Sequence, residues 1–129
     1  MICEEKVKRW YFVCYDQLNH EIFPWSKFKR EETGLIFIES KLKGSSKNYH
    51  KQKLAFLLSN MRHFASESED LGHPIRYYYT DSNYFDTLEK ITQELGQINL
   101  VEPAERSMRI EIEPLIKSGQ LLIKDHSGW

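Results

Sequence analysis

Five short runs of β-branched and aromatic residues punctuate the chain: Trp10–Tyr15, Leu35–Glu39, Ile75–Thr80, Ile98–Glu102 and Leu121–Lys124. Each is a near-continuous apolar run of about four to six residues, the pattern of parallel strands buried on both faces. Helical periodicity fills the spaces between them. The longest helical pattern runs from Ser46 to Leu71, with Leu54, Leu57, Leu58, Met61 and Ala65 on one stripe. It stops at Gly72-His73-Pro74, a glycine C-cap followed by a proline. A second pattern covers Tyr84 to Leu95, with Phe85, Leu88, Ile91 and Leu95 in phase and Gly96 after it. A third covers Glu105 to Lys117, with Met108, Ile112, Leu115 and Ile116 apolar and Gly119 beyond. Pro114 lies inside that third pattern and is expected to kink or shorten the helix.

Strand and helix alternation over 129 residues predicts one α/β domain, a Rossmann-like three-layer sandwich with a five-stranded parallel sheet and right-handed crossovers. Asp16 to Thr33 is the exception, a long connection with Pro24 and little periodicity, of the kind that often carries function. In such sheets ligands bind outside the carboxyl ends of the strands, at the point where strand order reverses. The residues ending the predicted strands are Tyr15-Asp16-Gln17, Glu39-Ser40, Thr80-Asp81 and Glu102-Pro103. Where the first two strand ends meet the basic helix start, Asp16, Gln17, Glu39, Lys43 and His50 become the candidate ligand contacts. His50 sits one turn before Leu54 on the buried stripe, pointing toward the strand ends, where it is either a satisfied structural histidine or a ligand contact. Arg62 and His63 are expected to solvate or cap the helix, and Tyr77-Tyr78-Tyr79 to alternate between the two helix layers.

Composition narrows the choices. Hydrophobic residues make up 40% and charged residues 29%, ordinary for a globular protein. No apolar run approaches the roughly 18–20 residues of a membrane span, so a cytoplasmic protein without membrane contact is expected. Cys3 and Cys14 read as reduced structural thiols. Residues 1–63 are net basic and residues 64–129 net acidic, with cations concentrated between Lys41 and Lys53. A folded domain mixes its halves, yet that basic segment remains a candidate surface for a phosphate-bearing ligand, nucleic acid or an acidic partner. The first strand ends in Tyr15-Asp16-Gln17-Leu18 without the glycines of a dinucleotide site, and Lys43-Gly44-Ser45-Ser46 lacks the upstream glycine of a Walker loop. The five histidines show no metal-ligand spacing, and no nucleophile triad can be placed, so neither a metal nor a catalytic residue is expected.

Four segments, in order, resemble the N-terminal domain of the bacterial cryptochrome and deoxyribodipyrimidine photolyase-related family, in its iron–sulfur group. Asp16-Gln17-Leu18 matches the family's Gly-Asp-Gln-Leu, and Glu39 its glutamate at the end of strand two. Tyr49-His50-Lys51-Gln52-Lys53 stands where the family has His-His-Lys-Lys-Lys, and Met61-Arg62-His63-Phe64-Ala65 continues that helix. Glu102-Pro103-Ala104-Glu105, with Arg109 following, matches its Glu-Pro-Gly-Glu. The chain departs from the family at Tyr15, where a glycine is usual, and at Lys43 and Ser46, which align with a Glu and a Tyr.

The resemblance implies an antenna-type domain of a flavoprotein of light-dependent DNA repair or light sensing, inactive by itself. It implies 6,7-dimethyl-8-ribityllumazine or another antenna chromophore, and adds Glu102 to the contacts Asp16, Gln17, Glu39, Lys43 and His50. FAD, the iron–sulfur cluster and the DNA-binding surface would belong to a following helical domain, the expected partner. Taken alone, the domain is expected to leave Ile22, Phe23, Trp25 and Phe28 uncovered, and so to self-associate as a two-fold dimer or fold that loop over itself. On the residues alone, an autonomous nucleotide- or flavin-binding module and a pure interaction domain stay open.

Overall fold

Apolar alternation on both faces decides the architecture. The computed structural model describes residues 7–14, 30–40, 51–101 and 106–123. Its strands are β1 (Arg9–Phe12), β2 (Thr33–Ser40), β3 (Ile75–Thr80), β4 (Ile98–Leu100) and β5 (Leu121–Ile123). The helices are α1 (Lys51–Asp70), α2 (Tyr84–Leu95) and α3 (Arg106–Lys117). All strands pair in parallel, in the order β3-β2-β1-β4-β5. This is the expected α/β sandwich with a five-stranded parallel sheet.

Successive strand residues serve opposite layers. Trp10 and Phe12 of β1, with Ile36 and Ile38 of β2, pack against Tyr84, Leu88 and Ile91 of α2 and Met108, Ile112 and Leu115 of α3. Tyr11 and Val13, with Leu35 and Phe37, face Met61, Phe64 and Ala65 of α1. A fully buried side chain of Leu or Ile size contributes about 1.5–3 kcal/mol, so strands buried on both faces lose their polar alternation. The α1 stripe follows the predicted phase through Leu58, Met61 and Ala65, and extends to Phe64 and Ser68. Ser68 is tolerated in the core because its hydroxyl donates back to the Phe64 carbonyl at 2.8 Å.

Helix ends follow their glycines. At the end of α1, Gly72 (φ 107°) donates to the Glu69 carbonyl and the His73 N–H to that of Ser68. Gly119 (φ 83°) and Gln120 repeat the arrangement on Ile116 and Leu115 at the end of α3. Pro114 does not shorten α3, which continues to Lys117. Pro114 and Ile110 both lie on the exposed side, so the carbonyl that loses its helical donor meets water. Strand limits shift where pairing outweighs composition. β2 begins at Thr33-Gly34 because those residues pair with Arg9 and Trp10. Gly34 is required there, since a methyl group at 34 would overlap the Trp10 ring. The connection 15–29, with Trp25 and Phe28, and the predicted first turn of α1 lie outside the described residues.

Candidate functional site

The carboxyl ends of β2 and β3 carry a charge cluster built on one buried carboxylate. Glu39 is the last inward residue of β2 on the α1 side and only 9% exposed. Its Oε1 accepts from Arg62 Nε at 2.7 Å and from the Tyr77 hydroxyl at 2.6 Å, and its Oε2 accepts from Arg62 Nη2 at 2.9 Å. A carboxylate taken out of water needs its lone pairs met, and a bidentate guanidinium with a phenol meets them. Arg62 comes from α1, one position past the buried Met61, so it leaves the core stripe at its edge and reaches over β2. Sequence reasoning gave it to solvent or to helix capping; it clamps Glu39 instead. The bonds to Glu39 hold the guanidinium above its ordinary pKa, and its side chain remains 58% exposed on the outer edge.

Tyr77 completes the cluster. Its ring stacks on Phe37 at 5.6 Å, and burial, followed by the bond to Glu39, raises its phenol well above the usual tyrosine range. Tyr78 packs against the α2–α3 layer and Tyr77 against the α1 layer, as the alternation predicts. Tyr79 returns to the side of Tyr77, 5.3 Å from its ring, but is 69% exposed.

On the other layer several polar groups near the strand ends are partnered within the chain. Asn83 caps α2 by accepting from the Asp86 N–H at 2.8 Å. Glu111 reaches across from α3 and accepts from the Tyr84 and Phe85 N–H groups. The N-terminus of α2 is thereby filled by the chain's own carboxylate and amide, leaving no ready cradle for a phosphate. Ser40 donates to the Ser82 carbonyl at 2.7 Å and ties the end of β2 to the turn after β3. An open groove of about 470 Å³ runs along α3 beside β5, between Arg106, Arg109 and Lys117 and the side chains of Ile110 and Ile123.

The sequence reading put the switch point at the ends of strands one and two. The strand order puts the reversal between β1 and β4, which pair at Tyr11–Asn99 and Phe12–Leu100. Asp16 and Gln17 follow shortly after Cys14, and Glu102 directly after Val101, so three predicted contacts continue from these neighbouring strands. Their side chains, with those of Lys43 and His50, lie outside the described residues; of the predicted contacts the structure places Glu39. Both oxygens of Glu39 are engaged within the chain. Arg62 and Tyr77 were missed as its partners, and the signal available was the two-residue step from Phe37 to Glu39 beside the Tyr77–Tyr79 step on β3. Among the described residues no group of three or more His, Cys, Asp or Glu could hold a metal ion, and no helix is long and apolar enough to cross a membrane.

The family model for deoxyribodipyrimidine photo-lyase-related protein matches residues 11–127. The chain is also 28% identical over 105 residues to a protein named (6-4) photolyase from Agrobacterium fabrum (strain C58 / ATCC 33970). That alignment covers 76% of this chain and 21% of the relative, so the chain spans about a fifth of the relative's length. With a family match along nearly the whole chain and the parallel fold expected of it, the protein belongs to the deoxyribodipyrimidine photo-lyase-related family.

Proposed function

We propose that this chain is the antenna-type N-terminal domain of a photolyase- or cryptochrome-like protein, serving light-dependent DNA repair or light sensing without catalysing repair itself. The observation that carries the reading is the family match over residues 11–127, on a sheet whose reversal lies where Asp16, Gln17 and Glu102 follow the strands. The chain corresponds to about a fifth of the relative named (6-4) photolyase, and repair chemistry is assigned to a flavin-binding helical partner domain, through which DNA would be met.

The ligand is a flat antenna chromophore, 6,7-dimethyl-8-ribityllumazine or a close analogue. Glu39 fits as part of the wall rather than as a direct contact, because its oxygens are held by Arg62 and Tyr77. Direct contact then falls to Asp16, Gln17, Lys43, His50 and Glu102. A polyol and a ring edge rich in acceptors and donors suit such a mixed set of carboxylates, amide, imidazole and ammonium. A phosphate-binding nucleotide module is disfavoured by the filled N-terminus of α2 and by the lack of glycines after β1.

Equilibrium titration with the lumazine, followed by its visible absorbance and fluorescence, tests the reading. Asp16→Ala and Glu102→Ala are each expected to weaken binding about tenfold, the loss of one good polar contact of about 1.4 kcal/mol. Saturable binding that is equal in the parent and both variants removes the site. No binding by the parent removes the antenna assignment.

A further inference from the structure

The two edges of the sheet are not alike. Among the described residues β5 covers Leu121–Ile123, a short edge of the kind that resists pairing with other chains. β3 is six residues long, Ile75-Arg76-Tyr77-Tyr78-Tyr79-Thr80, and its register with β2 runs without a bulge from Leu35–Ile75 to Ser40–Thr80. It contains no proline and no lysine, its one charged residue, Arg76, is held over Trp10 and paired with Glu94, and among the described residues no strand pairs with its outer side. Aromatic and β-branched residues are those that favour strand pairing, and such an edge normally carries a protecting charge, proline or bulge.

Parity fixes which groups the edge presents. The Leu35 N–H donates to the Pro74 carbonyl, so in this parallel ladder Pro74, Arg76, Tyr78 and Thr80 turn their polar groups toward β2. Ile75, Tyr77 and Tyr79 therefore point their N–H and C=O groups outward. These three positions are symmetric about Tyr77.

We propose that β3 is a self-pairing edge, joining two copies of this chain in an antiparallel, two-fold arrangement centred on Tyr77, with their sheets made continuous. Tyr77 pairs with Tyr77 of the second copy and Ile75 with Tyr79 of the second copy, each pair exchanging both N–H···O=C bonds. This register uses every outward-facing group between Ile75 and Tyr79, whereas a shift by two residues leaves some unpaired. Exposed Tyr79 then lies across from partly buried Ile75 on the α1 side, an aromatic–β-branched pair of the kind that stabilises sheets. On the opposite face Arg76 lies across from Tyr78 of the second copy, where a guanidinium can sit over a ring. Arg76 already lies 5.5 Å over the Trp10 ring and pairs with Glu94 at 2.9 Å, so each copy brings its own counter-charge. Asp81, exposed and charged, ends the pairing on both sides.

Sedimentation equilibrium of the 129-residue chain from micromolar to millimolar concentration tests this, beside Tyr79→Pro and Tyr79→Lys. Proline at 79 deletes an outward N–H and leaves the ladder to β2 intact, and lysine is a common edge guard. The parent is expected to dimerise, and both variants to raise the dissociation constant at least tenfold with unchanged far-ultraviolet circular dichroism. A monomeric parent at millimolar concentration, or dimers that persist in either folded variant, overturns the proposal. Should both variants unfold, an Ile75→Cys/Tyr79→Cys protein decides. The paired positions would be about 5.5 Å apart between copies, within disulfide reach, but two turns of the pleat apart within one chain. A 75–79 disulfide found in the dimer by peptide mapping supports the pairing, and its absence after oxidation overturns it.

Discussion

Replacing Tyr77 by phenylalanine removes one oxygen atom and tests the account of the Glu39 cluster at two pH values. The lost bond is short, 2.6 Å, and goes to a carboxylate; hydrogen bonds to charged groups contribute about 1.5–3 kcal/mol. Glu39 keeps both bonds from Arg62, and the ring still stacks on Phe37, so no charge is orphaned and no cavity opens. The expected loss at pH 7 is therefore at the low end, about 1.5 kcal/mol, or roughly 1 M in the urea midpoint for a slope of about 1.5 kcal/mol/M. Alkaline pH reverses the comparison. Burial and then the bond to Glu39 raise the folded-state pKa of Tyr77 above its ordinary value of 10.0. Above about pH 10 the unfolded chain releases this proton while the folded chain keeps it, so the parent loses up to about 1.4 kcal/mol per pH unit. Phenylalanine has nothing to release. Tyr11, also raised by burial, is common to both proteins and cancels. Urea unfolding followed by circular dichroism at pH 7 and pH 11 should show a clear gap at neutral pH that nearly closes at pH 11. Equal stability at pH 7, or a gap of the same size at pH 11, would refute the reasoning.

Two further substitutions test local packing. Gly34→Ala places a methyl group against the Trp10 ring, which is 7% exposed and cannot swing outward, and should cost about 1–3 kcal/mol with a shift in tryptophan emission; an unchanged melting temperature would mean the ring yields freely. Asn83→Ala removes the acceptor for the Asp86 N–H and should cost about 1 kcal/mol in thermal unfolding, with Asn83→Asp recovering most of it; failure of aspartate to recover the loss would place the effect elsewhere than the cap.

Much of the fold is legible because the signals are local. Ile75–Thr80 and Tyr84–Leu95 fall on their predicted limits, where Pro74, Asn83 and Gly96 punctuate the chain. β1 and β4 end earlier than their apolar runs because Val13, Cys14 and Val101 are buried beyond the strands. Thr33 and Gly34 carry no apolar signal, and they join β2 because Arg9 and Trp10 lie beside them. Arg62 shows the limit most clearly. Helical period sets it one step off the buried stripe, the usual place of a solvated cation. Its partner Glu39 lies 23 residues away, and nothing short of the seating of α1 on β2 brings them together.

That seating bears on the proposed site. A helix resting on a sheet through Met61, Phe64, Ala65 and Ser68 could still rotate or slide slightly, since apolar contact is non-directional. The two-pronged bond from Arg62 to Glu39 is directional, and the phenol of Tyr77 holds the carboxylate from the other side. On the proposed reading, the basic segment that includes Lys43 and His50 precedes the described part of α1 in sequence, so holding the helix also holds the end of that segment. The cluster acts as a positioning device that fixes α1 on the sheet, and on the proposed reading it does so without lending its own oxygens to a ligand.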